Sequence, residues 1–214
     1  MLDNSNNNCP LCQSQSVVFY QQIKQLFLQC TNCKGIFVDQ SLLPSLLEEK
    51  TRYETHNNDV NDLGYQKFVS PITSAIIANH NENDIGLDFG AGTGPVISKV
   101  LGDNNYQIKQ YDPIFFKSPD LLETKYNYIA CCEVIEHFHS PLIEFKLLKS
   151  LLKPVGKLYC MTHLYDEKID FSNWYYKNDP THVFIYQIET LDWIKSRFKF
   201  RIVIVDNRLI TFNN

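Results

Sequence analysis

The sequence predicts an α/β protein: a three-layer sandwich in which a mostly parallel sheet carries helices on both faces and ends, at one edge, in an antiparallel hairpin. A small four-cysteine module precedes it. Three observations carry this reading. Short β-type runs alternate with helical segments from residue 85 onward, and strands separated by helices pair in parallel. A glycine-rich turn, "GAGTG" at 90–94, follows the first of those runs. Two Cys-x-x-Cys pairs, Cys9/Cys12 and Cys30/Cys33, stand ahead of all of it.

A chain of 214 residues holds one main domain with a core of its own plus a small appendage. The boundaries read as a cysteine module over 1–40, linker helices over 41–80 and the main domain over 81–214. With 20 basic against 24 acidic side chains and no long block of either sign, a nucleic-acid partner is disfavoured. No apolar run reaches membrane-spanning length, and "MLDNSNNNCP" has neither the basic end nor the apolar stretch of a signal peptide. The expected location is therefore cytoplasmic. Nothing in the sequence speaks to oligomeric state.

Within the cysteine module, "SVVFY" and "LFLQC" are short β-type runs ending near the Cys-x-x-Cys turns. In a chain without a secretion signal these cysteines read as metal ligands rather than disulfides. The pairs are 17 residues apart, and two such turns complete the tetrahedron of a structural zinc site, with no open position for chemistry. A ribbon of about 30 residues needs such a metal, because it cannot bury enough apolar surface. Its basic residues are Lys24 and Lys34, so packing on the main domain or shaping a substrate entrance is its expected task. Cys131, Cys132 and Cys160 lie in strand-like runs and read as packing residues.

Residues 42–56 form the first linker helix, broken by "NNDVNDLG". A second opens with Ser70 as cap and Pro71 in the first turn, with Ile72, Ile76 and Ile77 on one face. Strand candidates are 85–89, 107–111, 126–132, 156–162 and 200–205, followed by "RLITF", which closes the edge hairpin. The clearest helix is 140–152: Ser140 caps, Pro141 starts, and Leu142, Phe145, Leu148 and Leu152 form a stripe. "KPVG" ends it.

The glycine turn occupies the first strand-to-helix connection, where open α/β sheets bind ligands. A dinucleotide fingerprint needs GxGxxG, a pattern that Pro95 breaks. The spacing is instead Gly90, Gly92 and Gly94, preceded by Asp88. With this motif the chain resembles the class I S-adenosylmethionine-dependent methyltransferases. The likeness continues through Asp112 in "IKQYDP", "CCEVIEHFHSP" and "LLKPVGKLYCMT", in the right order over roughly 65–205. Val155 stands where that family more often has glycine.

The resemblance implies a Rossmann-like fold with a seven-stranded sheet and S-adenosylmethionine as cofactor. It places the backbone of Gly90, Ala91, Gly92 and Gly94 against the ribose and methionine portion, and Asp88 near the ammonium group. Asp112, 18 positions after Gly94, falls where a carboxylate accepts from the ribose hydroxyls. Cys132 and Glu133 come nearest the cofactor after the fourth strand, followed by Glu136 and His137. His137 reads equally as a loop brace or a catalytic group.

In that family the segments before the first strand and after the fifth build the acceptor site. Here they are "RYETHNN", with Tyr53 and His56, and "SNWYYKNDPTHVFIY", with Tyr175, Asp179 and His182. His182 is the first candidate for a substrate contact or general base, His137 the second and His163 the third; His139, beside Ser140, reads as surface. Methyl transfer from a sulfonium is an in-line displacement, so positioning does much of the work and a base is needed only where the acceptor loses a proton. The expected function is methyl transfer to a small molecule or biosynthetic intermediate. The alternative is a cofactor-holding scaffold whose ribbon recruits a partner.

Overall fold

A computed structural model describes residues 8–23, 25–55 and 59–214. Lys24 and His56 lie outside the described residues. The ribbon opens with β1 (Ser16–Gln22) and β2 (Gln25–Cys30), an antiparallel hairpin, and β3 (Ile36–Val38) pairs antiparallel on β2. Helix α1 (Leu46–Glu54) starts at a capping box in which Ser45 and Glu48 exchange hydrogen bonds.

Helix α2 (Leu63–Asn79) begins earlier than the sequence suggests, with Asp62 rather than Ser70 as its cap and Pro71 inside it. The Asp62 carboxylate accepts from the Tyr65 N–H at 2.7 Å, and the buried stripe of Val69, Ile72, Thr73 and Ile76 holds the helix through the proline. Ile77 faces out instead of joining that stripe.

The main sheet is built from β4 (Ile85–Phe89), α3 (Val96–Asp103), β5 (Gln107–Tyr111), β6 (Tyr126–Cys132), α4 (Pro141–Leu151) and β7 (Leu152–Met161). After β8 (Phe184–Ile185) and α5 (Ile188–Phe198), the chain closes with the hairpin β9 (Ile202–Asp206) and β10 (Leu209–Asn213). The spatial order is β5-β4-β6-β7-β10-β9. The first four strands are parallel, and β10 is antiparallel to both neighbours. This is the expected Rossmann-like α/β architecture, with six strands in the described sheet where seven were expected. Between β5 and β6, residues 112–125 form an isolated bridge from Asp112 to Phe116 and a short 3-10 turn. A parallel crossover by itself needs about a dozen residues, so no room is left for a further strand.

Alternation along β6 divides the core. Tyr128 and Ala130 face α2 and α3, whereas Ile129 and Cys131 face Phe145 and Leu148 of α4 and Ile194 of α5. Cys131 and Cys160 are fully buried there, as packing residues. Strand β8 leaves this sheet to complete the ribbon sheet, in the order β1-β2-β3-β8. At that joint the Phe37 and Phe184 rings stack 6.2 Å apart.

Gly86 on β4 faces the Tyr128 ring so closely that an added Cβ would sit 2.0 Å from it, whereas nothing lies within 4 Å of a Cβ at Gly102 in α3. Gly86→Ala should therefore cost about 1–3 kcal/mol by overpacking. Gly102→Ala should stabilise by about 0.5–1 kcal/mol through helix propensity. Thermal unfolding of both variants checks this; equal shifts would contradict the packing of β4 on β6.

Candidate active site

The carboxyl ends of β4, β5, β6 and β7 open into a cleft of about 1980 Å³. Its floor begins with the turn after β4. Gly90 adopts φ +79°, and a Cβ there would lie 2.5 Å from the Val134 side chain, so both conformation and space require glycine. The N–H groups of Gly90 and Ala91 donate to the Tyr111 carbonyl at 2.8 and 3.1 Å, tying the turn to the end of β5. Gly92, at φ +60°, has open space where a side chain would stand, and its N–H donates to Asp112 Oδ2 at 3.0 Å. Asp112 Oδ1 accepts from the Ile114 and Phe115 N–H groups at 2.8 and 2.9 Å. Of the roughly four acceptor positions on a carboxylate, three therefore hold the turns.

Ala91, Gly92, Asp112, Cys132 and Glu133 all line the cleft. Asp88 and Gly94 do not; they border a small void behind the turn. The Asp88 carboxylate is buried and accepts from Ser98 Oγ at 2.8 Å, and burial raises its pKa to about 6. Through this hydrogen bond Asp88 braces α3 against β4.

Beyond β6 the chain turns sharply, with Glu133 in the left-handed region at φ +50°, a conformation few non-glycine residues adopt. Glu136 follows, fully buried. Tyr176 donates to its Oε1 at 2.6 Å, so the Thr162 hydroxyl, 2.8 Å from the Tyr176 oxygen, donates to Tyr176 in turn. Glu136 Oε2 and Glu133 Oε1 are buried without a hydrogen bond, and Arg208 stands 3.7 Å from Glu133. Burial raises the pKa of both carboxyl groups, and the Glu136 charge raises that of Glu133 further.

His137 and His182 stand beside this pair, their rings 5.0 Å apart. The Nδ1 of His137 lies 2.8 Å from the Thr181 carbonyl, and that of His182 lies 2.7 Å from the Tyr176 carbonyl. A carbonyl only accepts, so each Nδ1 carries a proton. Burial, and next the neighbouring His137, lower the His182 pKa to about 4.

The other predicted acceptor residues scatter. Tyr53 packs edge-on against His137, with centroids 5.4 Å apart. His56 lies outside the described residues. Tyr175 sits at the cleft mouth with its hydroxyl 3.0 Å from His163 Nε2, which also accepts from Arg208 at 3.3 Å. Asp179 lines the cleft but spends its Oδ1 on the Thr181 N–H and hydroxyl and its Oδ2 on Arg52, at 2.8 Å. It clasps α1 to the segment carrying His182. His139 is half-buried in the cleft wall, 2.9 Å from the buried Glu49. Sequence reasoning missed Arg208 as a member of the cluster, and it reached Tyr176 only as one of the aromatics of the segment after the fifth strand. Arg208 has no local motif, since it enters from the hairpin turn between β9 and β10, with its guanidinium 4.4 Å from the Phe68 ring.

The four N-terminal cysteines converge as well, their sulfurs all within 4.8 Å of one another. Cys9 Sγ lies 3.6 Å from Cys33 Sγ, and Cys12 Sγ 3.2 Å from Cys30 Sγ. Zn–S bonds of about 2.3 Å in a tetrahedron ask for sulfurs about 3.8 Å apart. The Asn32 and Cys33 N–H groups point at Cys30 Sγ, each at 3.4 Å, the arrangement that stabilises a thiolate. Geometry and donor set both fit zinc. Val183 ties the ribbon to the cleft: the Val38 N–H donates to the Val183 carbonyl, and the Val183 N–H donates to the Glu136 carbonyl, both at 2.9 Å.

No curated protein sequence matches this chain. Several solved structures share its fold. The 1,6-didemethyltoxoflavin-N1-methyltransferase of Burkholderia thailandensis, solved with 1,6-didemethyltoxoflavin and S-adenosylhomocysteine, superposes with a TM-score of 0.56 at 12% identity, over 92% of this chain and 98% of that one. Human N-acetylserotonin methyltransferase, in complex with S-adenosylmethionine, gives 0.53 at 12%, over 79% of this chain and 56% of that one. An O-methyltransferase family protein from Burkholderia thailandensis gives 0.53 at 8%, over 77% and 61%. The chain thus spans little more than half the length of the last two. At these identities the likeness is one of fold. In sequence, the family described as a methyltransferase domain matches residues 63–205, from the start of α2 through nearly all of β9. The chain belongs to that methyltransferase-domain family.

Proposed function

We propose that this protein transfers a methyl group from S-adenosylmethionine to a small-molecule acceptor. The observation that carries the reading is that one cleft holds two parts. At one end lies a glycine turn, bare at Gly92 and fixed by Asp112; at the other lies a polar cluster of Glu133, His137 and His182, with the fully buried Glu136 packed against it. The cofactor or product bound to the Burkholderia N-methyltransferase and to the human enzyme supports the choice of cofactor, and their small acceptors support the substrate class.

S-adenosylmethionine bound here supplies an electrophilic methyl group on a sulfonium. The chain's own residues do the rest. Ala91 and Gly92 present backbone to the ligand, Asp112 keeps one acceptor position for a ribose hydroxyl, and Cys132 and Glu133 border the reacting end. Tyr53 and Tyr175 flank the acceptor entrance, and His182 and His137 hold the acceptor with their Nε2 atoms. The ribbon, closed around zinc by Cys9, Cys12, Cys30 and Cys33, braces β8, which begins two residues after His182.

Calorimetric titration with S-adenosylhomocysteine tests the cofactor reading. Wild type should bind. Asp112→Ala should bind about 10- to 100-fold more weakly, as expected for hydrogen bonds to a charged group. A folded wild type that binds neither this ligand nor S-adenosylmethionine would sink the assignment. In an acceptor screen read by S-adenosylhomocysteine release, His182→Ala should lose turnover while keeping cofactor affinity. Unchanged turnover would return His182 to packing. Cys30→Ser should release about one equivalent of tightly held zinc per chain and lower the melting temperature. Metal analysis that finds no zinc lost would contradict the ribbon assignment.

A further inference from the structure

The polar cluster has the composition of a second metal site. One ligand atom each from Glu136, His137 and His182 falls within 4.8 Å of the others. Metal–ligand bonds of about 2.0–2.2 Å place neighbouring ligands on the order of 3–4 Å apart, a closure reached by small side-chain rotations. The orientation of each ligand is already set. The two Nδ1–H groups are committed to the backbone carbonyls of Thr181 and Tyr176, so Nε2 is the nitrogen each ring would offer a metal. This is how metal-binding histidines are ordinarily held. The Tyr176 hydroxyl anchors Glu136 Oε1.

The independent sign is the other oxygen. Glu136 is 0% exposed, yet its Oε2 has no hydrogen-bond partner. A buried acceptor left unpaired is costly, and a cation here would remove that cost. Glu133, which lines the cleft with its Oε1 buried and 3.7 Å from Arg208, offers a further carboxylate donor. Two imidazoles with one or two carboxylates suit Mn²⁺, Fe²⁺, Co²⁺ or Zn²⁺.

We propose that Glu136, His137 and His182 bind a divalent cation at the acceptor end of the cleft, and that the acceptor is a hydroxyl compound whose oxygen approaches that cation. The second half of this inference rests on the methyltransferase reading; the first does not. A cation at this position lowers the pKa of a coordinated hydroxyl. The proton leaves to solvent through the open cleft, and the oxygen lone pair forms the new bond to carbon as the carbon–sulfur bond breaks. His182 and His137 then act as ligands and no separate base is required.

Titration of the full chain with Mn²⁺, followed by electron paramagnetic resonance, tests the site. Mn²⁺ prefers oxygen and nitrogen donors, so the ribbon thiolates keep their zinc. One bound Mn²⁺ showing nitrogen couplings from imidazole is expected in wild type. In Glu136→Gln and His182→Gln the affinity should fall by more than about 10-fold, with S-adenosylhomocysteine binding retained as the measure of a folded cleft. No bound Mn²⁺, or one without imidazole nitrogen, would overturn the proposal whether or not the variants fold. Intact S-adenosylhomocysteine binding without any cation would remove the metal site and leave the methyltransferase reading standing. A bound cation in a protein that fails to bind S-adenosylhomocysteine would do the reverse.

Discussion

The site depends on a contact that only glycine permits. Gly90 ends the first strand of the main sheet, Val134 follows the third, and a Cβ on Gly90 would lie 2.5 Å from the valine. Because that Cβ is missing, the turns after β4 and β6 close on each other, and the cofactor-facing backbone meets the carboxylate-bearing turn. The same turn is drawn toward β5 by the Tyr111 carbonyl and Asp112. Three strand ends thereby converge on a few residues of irregular backbone. Nearly all the polar hydrogen bonding of Asp112 goes into holding this convergence, and its affinity for any ligand is inseparable from that task.

The four-cysteine ribbon enters the same logic from the other side. It is not a bead on a linker, since its last strand position is taken by β8, a piece of the main domain. Val183 links the ribbon edge to Glu136, and His182 is the neighbouring residue. A two-residue strand has little stability of its own. Pairing with β3, stacking of Phe184 on Phe37 and the Asp179–Arg52 clasp together fix the segment that carries His182. A metal that stiffens the ribbon therefore acts on the geometry of the cleft without touching its chemistry.

Glu133 and Glu136 carry the largest electrostatic burden of the fold. Two neighbouring carboxyl groups in a buried setting oppose each other's ionisation, and one nearby guanidinium, Arg208, is only partial compensation at 3.7 Å. The left-handed backbone at Glu133 adds local strain. Unrelieved cost of this kind collects where a protein uses it. It lies here in the wall of the cleft, beside two histidines whose Nδ1 protons are held by backbone carbonyls.

By itself the sequence determined the elements that local periodicity and turn chemistry encode: the alternation of strands and helices, the edge hairpin, the glycine turn with Asp112 in register, and the two cysteine pairs. It misplaced the start of α2, because the Asp62 cap lies in a stretch of Asn, Asp and Gly that reads as a breaker, and because burial of Val69 and Ile72 outweighs the cost of Pro71. The expected seventh strand has no counterpart, as the chain between β5 and β6 is too short for one. Only the tertiary structure decided that Asp88 faces inward to Ser98, that Asp179 is a clasp, and that Arg208 and Tyr176 join Glu133, Glu136, His137 and His182. Those partners come from separate elements, brought together by sheet order and by β8 crossing into the ribbon. Long-range pairing of that kind leaves no periodic trace in the sequence.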